Sequence, residues 1–142
     1  METMRIFLSG GMTGLSFEEQ SVWRTRIINA IKYGDYDYEK KPVFFNPVEH
    51  YSFEEVSHKS EKEIFEYDLY NLRKSDLVIL NLNAPYSIGC AMELILAKEH
   101  RIPVVAFGVN GQYIHPWILE CCTRICDDMK ETVSYVVDFY LN

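Results

Sequence analysis

The sequence predicts an α/β domain with a mainly parallel sheet and helices on both faces. Short apolar runs that end in turn residues alternate with stretches whose apolar residues recur at helical spacing. One run, Leu77-Val78-Ile79-Leu80, is apolar without interruption, the pattern of a parallel strand covered on both sides. The length of 142 residues fits one domain, 1–142, large enough to bury a single core.

The elements follow in order. Arg5-Ile6-Phe7-Leu8 reads as a strand that ends at Ser9-Gly10-Gly11. Ser16-Phe17-Glu18-Glu19 has the form of a capping box, with Ser16 as N-cap and Glu19 three residues on. Val22, Trp23, Ile27, Ile28 and Ile31 then recur at helical spacing. Pro42-Val43-Phe44-Phe45 reads as a second strand, closed by Asn46-Pro47, and a long acidic loop with Tyr51, Phe53 and His58 follows. A helix is expected over 61–74, with Ile64, Phe65, Leu69 and Leu72 on its apolar side. After the Leu77 strand come a helix over 89–100, a strand at Pro103-Val104-Val105-Ala106-Phe107 and one or two closing helices over 117–141. Four strands are read clearly, and right-handed crossovers make them parallel. Ligands of such sheets sit outside the carboxyl ends of the strands, which directs attention to the loops 9–14, 81–89 and 108–115.

Composition narrows the function classes. Apolar residues make up 48% of the chain and charged residues 25%, as in ordinary globular proteins. No apolar run approaches the ~18 residues of a membrane span, so no membrane role is expected. The first residues enter a strand pattern directly, so no secretory signal is expected either. The net charge is −7, without a clustered Lys/Arg footprint, which argues against nucleic acid as a partner. Any phosphate must be held locally, by backbone N–H groups and hydroxyls. Cys90, Cys121, Cys122 and Cys126 lack the paired spacing of a zinc site and read as small apolar residues of a reducing cytoplasm. Neither a metal nor a cofactor is expected.

The richest segment is Asn81-Leu82-Asn83-Ala84-Pro85-Tyr86-Ser87-Ile88-Gly89-Cys90-Ala91-Met92-Glu93. It joins a buried strand to a helix and delivers a hydroxyl, a glycine and a carboxylate within seven residues. Ser87 suits a helix cap, and Gly89 lets a ligand approach the backbone. Glu93 lies early in a helix whose neighbours Ala91, Ile95, Leu96 and Ala97 suggest that it is largely buried. The helix dipole is expected to keep its carboxylate ionised. Such a carboxylate at the edge of a dry pocket can attack an electrophilic sugar carbon. Asp68 reads in isolation as a helix acid, and Asp76 as a turn residue at the far edge of the sheet. The loop Ser9-Gly10-Gly11-Met12-Thr13-Gly14 follows the first strand, but has neither the lysine nor the glycine spacing of a nucleotide-binding motif. Its free N–H groups suit a phosphate or a sugar hydroxyl. The four histidines are scattered, and aromatic residues near the cleft could stack a base.

Ile6-Phe7-Leu8-Ser9-Gly10-Gly11-Met12, then Tyr67-Asp68-Leu69 with Ser75-Asp76-Leu77-Val78, then Ser87-x-Gly89-x-x-Met92-Glu93-Leu94 resemble the nucleoside 2-deoxyribosyltransferase superfamily. The resemblance covers roughly residues 5–107 and is weak beyond them. It implies a flavodoxin-like three-layer fold with a five-stranded sheet, and a reaction at the anomeric carbon of a nucleoside or nucleotide. It implies that Glu93 is the nucleophile forming a covalent glycosyl ester. It further implies that Asp68 contacts the base and helps proton transfer, and that Phe7, Gly10, Gly11 and Met12 line the site with Ser87 and Gly89. It also implies a homodimer or higher homo-oligomer in which a neighbour completes the site. Phe7 stands where many members have tyrosine. Ser87 stands where many transferases have aspartate and the related 5′-monophosphate N-hydrolases have serine. A carboxylate there repels a phosphate dianion, whereas a hydroxyl can donate to it. The expected activity is a deoxyribosyltransferase-like cleavage of the N-glycosidic bond. The alternatives are a 2′-deoxynucleoside 5′-monophosphate N-hydrolase that releases free base, or a non-catalytic nucleotide-sensing module.

Overall fold

Five parallel strands form one sheet in the order β2-β1-β3-β4-β5. The computed structural model describes residues 1–12, 14–50 and 61–142. The elements run β1 (Thr3–Gly10), α1 (Phe17–Tyr33), β2 (Lys41–Phe45), α2 (Pro47–His50), α3 (Glu61–Arg73), β3 (Leu77–Asn81), α4 (Ile88–Glu99), β4 (Val104–Phe107), α5 (Pro116–Glu120), β5 (Arg124–Ile125) and α6 (Met129–Tyr135). A π-helical turn over Val136–Tyr140 closes the chain. The expected loop residues Tyr51, Phe53 and His58 lie outside the described residues, as does Thr13.

The period of two along each strand divides the core into two layers. Ile6 and Leu8 of β1, Leu77 and Ile79 of β3, and Val105 and Phe107 of β4 face one side. There they meet Trp23, Ile27 and Ile31 of α1 and Val133, Val136, Val137 and Leu141 of the C-terminal helices. Phe7, Val78, Leu80, Val104 and Ala106 face the other side, against Leu72 of α3 and Cys90, Leu94 and Ala97 of α4. Burial of each large aliphatic side chain contributes about 2 kcal/mol. Both faces of β3 are thus covered, with all five residues buried, as its uninterrupted apolar run requires.

The start of α1 follows its local chemistry. Ser16 accepts a hydrogen bond from the Glu19 N–H at 3.1 Å, and the Ser16 N–H donates to Glu19 Oε1 at 3.1 Å. Asn46 does the same for α2, its Oδ1 accepting from the Val48 N–H at 3.2 Å, so a short helix begins where a loop was expected.

Two expectations need correction. The stretch 117–141 is not wholly helical, since Arg124–Ile125 pairs with β4 as the fifth strand. Two exposed residues carry no apolar run, so the strand had no pattern to read. Helix α4 is less buried than expected: Ile88, Met92 and Ile95 are 77%, 46% and 51% exposed. Cys90, Leu94 and Ala97 are buried against the sheet and Leu96 packs beside them, while Ile88, Met92 and Ile95 form an outward stripe.

Candidate active site

In this strand order β1 lies between β2 and β3, so the chain leaves it in opposite directions and a crevice opens at its carboxyl end. The three loops singled out in the sequence gather there. A Cβ on Gly11 would come within 2.3 Å of the Ala84 Cβ, so glycine is what lets the first loop touch the second. Gln112 Nε2 donates to the Leu82 carbonyl at 3.4 Å, and the Tyr86 hydroxyl to the Tyr113 carbonyl at 3.3 Å, joining the third loop to the second. Met12 is anchored by its carbonyl, which accepts from Gln20 Nε2 at 2.9 Å.

Glu93 sits at the centre of this edge. Ser9, on the same face of β1 as Phe7, donates from Oγ to Glu93 Oε1 at 2.8 Å. Ser9 is itself 1% exposed, so the carboxyl meets its donor inside the protein. Asp68 on α3 is half-buried and close enough for its charge to act on Glu93. On the opposite face of the sheet Arg24 of α1 is buried, and its charge acts on Glu93 as well. Cys90, one turn before Glu93, places Sγ 3.7 Å from Ser9 Oγ.

Burial pushes the Glu93 carboxyl up to about 8, and the charge of Asp68 adds to the rise. The Ser9 hydrogen bond and the Arg24 charge act in the opposite direction. The sequence expectation of a carboxylate kept ionised by the helix dipole is therefore corrected. Glu93 lies in the second turn of α4, past the free N–H groups where the dipole acts, and desolvation outweighs it. The Cys90 thiol is pushed up to about 12 by burial and then by Glu93, so it stays protonated at neutral pH.

The other expected residues fall on the same edge. Ser87 is the N-cap of α4, its Oγ accepting from the Cys90 N–H at 3.4 Å. Space above Gly89 is open, with nothing nearer to an added Cβ than Ser87 Oγ at 3.9 Å. The residues 84–89 line an open depression of about 440 Å³. Phe7 is fully buried and stacks on Phe45 at 5.2 Å. Asp76 lies apart, at the amino end of the sheet, where Oδ2 accepts from the Arg5 N–H at 2.8 Å. Among the described residues no group of His, Cys, Asp and Glu is disposed to hold a metal ion.

Sequence reasoning did not single out three features. The Ser9 hydroxyl points at the key carboxyl, a role that the pleat of β1 could have indicated. Arg24 is a charged residue within the apolar stripe of α1, a visible anomaly in the helical pattern. Phe45, His50 and Tyr67 form an aromatic group, with His50 stacked on Phe45 at 4.9 Å and Tyr67 edge-on to both. The residues come from two elements and a strand end, so spacing along the chain gives no sign of them.

The Glu93 value makes stability depend on pH. The folded carboxyl binds its proton up to about 8, against 4.5 for an unperturbed group, so the folded state holds more protons within that window. Stability from this group is complete below 4.5 and is lost as the pH rises through 8. Glu93→Gln mimics the protonated form. Urea denaturation should show it close to wild type at acid pH and more stable by about 2–4 kcal/mol at alkaline pH. A difference that does not change with pH would refute the burial argument.

No family model matches the sequence and no curated protein is closely similar to it. Solved structures do match. A conserved protein from Enterococcus faecalis superposes with a TM-score of 0.69 at 17% identity, over 93% of this chain and 96% of that one. A 2-deoxyribosyltransferase from Bacillus psychrosaccharolyticus gives 0.70 at 19% identity, over 92% and 91%. A CMP N-glycosidase from Clostridium botulinum gives 0.56 at 16% identity, over 96% and 99%. The chain thus shares the flavodoxin-like fold of these solved structures, a 2-deoxyribosyltransferase and a CMP N-glycosidase among them.

Proposed function

We propose that this chain cleaves the N-glycosidic bond of a 2′-deoxynucleoside or its 5′-monophosphate, with Glu93 as nucleophile and Asp68 as proton donor. The observation that carries this reading is half-buried Glu93, whose carboxyl accepts a hydrogen bond from the Ser9 hydroxyl and feels the charge of Asp68. Near neutrality burial and the charge of Asp68 keep a proton on Glu93. In this reading Glu93 passes that proton to Asp68 as substrate binds, which leaves a charged, poorly hydrated nucleophile beside its acid. The Ser9 hydroxyl favours this arrangement, because it donates to the ionised form of Glu93.

The reaction has two steps. A Glu93 oxygen forms a bond to the anomeric carbon while the carbon–nitrogen bond breaks, its electron pair leaving with the base. Asp68 gives that base its proton. Water or an acceptor base, deprotonated by Asp68 as it attacks, then takes the sugar and frees Glu93. The bound 2-deoxyribosyltransferase-like and N-glycosidase-like outcomes differ only in this acceptor, and the two solved relatives named for such activities share the fold.

Ser87 and the open space above Gly89 favour a 5′-monophosphate. The amino end of α4 offers free N–H groups, and the Ser87 hydroxyl can donate to a phosphate oxygen. The aromatic group of Phe45, His50 and Tyr67, next to Asp68 along α3, supplies an apolar wall for a base. The homo-oligomer implied by the sequence resemblance belongs to this proposal, with the exposed stripe of Ile88, Met92 and Ile95 as its surface. The cytoplasmic location expected from the sequence is also retained, in keeping with four cysteines that form no disulfide.

Chromatography of the products from deoxynucleosides and their monophosphates, with and without an acceptor base, tests the activity. Release of free base regardless of acceptor identifies a hydrolase, and exchange without net release a transferase; no product from any substrate would refute both. Glu93→Ala should lower the rate by about 10³-fold or more. Ser87→Asp should weaken use of the monophosphate by about 10-fold or more while sparing the nucleoside, by charge repulsion; equal effects on both would remove the phosphate assignment. Sedimentation of Ile95→Glu should show a lighter species than wild type, and equal sizes would rule out the α4 surface.

A further inference from the structure

Arg24 is a buried cation that the chemistry above does not use. It is 1% exposed, and among the described residues no carboxylate forms an ion pair with it. Its contacts are instead with the backbone. Nε donates to the Leu8 carbonyl at 3.4 Å, Nη2 to the Gly10 carbonyl at 3.2 Å, and Nη1 to the Gln20 carbonyl. The guanidinium lies over the Trp23 ring at 4.6 Å. The carbonyls of Leu8 and Gly10 flank Ser9, the residue whose hydroxyl reaches Glu93. Gly10 allows this approach, since a Cβ there would come within 2.6 Å of Trp23 and 3.4 Å of Arg24 Nη2. A desolvated charge without a direct ion pair among the described residues is costly, and apolar residues of similar size would fill the space more cheaply.

We propose that Arg24 is a positioning residue, a fixed positive charge that grips the end of β1 on either side of Ser9 and thereby holds the Ser9 hydroxyl against Glu93 from the opposite face of the sheet. The proposal rests on the reading of Glu93 given above, yet its geometry stands without any substrate. Among the described residues three groups act on Glu93: Asp68 from α3, Ser9 from β1 and Arg24 from α1, with Cys90 beside it on α4 as an uncharged thiol. Arg24 is the cation of this set. Burial lowers it only to about 10, so it remains charged across the neutral range. Lysine could keep the charge, but lacks the planar fork that reaches both carbonyls at once.

The test reads Glu93 directly, by carbon NMR of protein labelled in the glutamate carboxyl groups, with a Glu93→Gln spectrum for assignment. Arg24→Gln, checked for folding by circular dichroism, should move the Glu93 titration upward by about one unit, and Arg24→Lys should restore most of that shift. An unchanged or lowered titration in folded Arg24→Gln overturns the proposal. Should Arg24→Gln not fold, Arg24→Lys decides alone. Glu93 must then titrate within about half a unit of wild type while the amides of residues 8–12 exchange faster. Unaltered exchange, or a larger displacement, overturns it. Because the readout needs no turnover, absence of glycosidic cleavage would remove the proposed function and leave this inference to stand or fall by itself.

Discussion

Glu93 is half-buried, with its carboxyl turned in to Ser9 at the point where β1 ends and α4 begins its second turn, and the surrounding structure is arranged about that fact. A desolvated carboxyl group needs partners, and each comes from a different element. Ser9 is supplied by β1, Asp68 by α3 and Arg24 by α1. None of the three lies near Glu93 in sequence, so only the parallel sheet, with its reversal of direction at β1, brings them together. The same arrangement explains the glycines at the edge. Gly10 gives Trp23 and Arg24 room on one face of the sheet, and Gly11 admits Ala84 on the other side of the loop.

Charge balance gives the site its chemical character. Burial and the charge of Asp68 favour a proton on Glu93, while Ser9 and Arg24 favour its loss. Opposed influences of this kind keep a carboxyl poised close to neutrality, where it can alternate between proton carrier and nucleophile. The cost is a fold that becomes less stable as the pH rises through the same range. Ser87 and the open approach to Gly89 lie at the amino end of α4, one turn or more before Glu93, so the proposed function separates phosphate recognition from bond cleavage along one helix.

Much of the architecture was legible in the sequence because its signals are local. The Ser16–Glu19 capping box, the unbroken apolar run of β3 and the Ser87 cap are each set by a few adjacent residues, and all three are present. Strand β5 escaped because two exposed residues carry no periodicity. The outward stripe of Ile88, Met92 and Ile95 was misread because apolar content alone does not tell which helix face meets the sheet. In the site, the residue identities of Glu93 and Asp68 came from motif resemblance. The ionisation of Glu93 was misjudged because it depends on distances across the fold. Arg24 left a trace as a charge in an apolar stripe, but its meaning required the carbonyls that it touches.

Covalent capture at Glu93 is the most direct measurement. The protein would be incubated with a 2′-fluoro-2′-deoxynucleoside 5′-monophosphate, whose fluorine slows breakdown of a glycosyl ester, then digested and mapped by mass spectrometry. A fluorinated sugar phosphate attached to the peptide bearing Glu93, with one base released per site, is the expected result. Base release with an unmodified Glu93 peptide, or the sugar found on another residue, would contradict it.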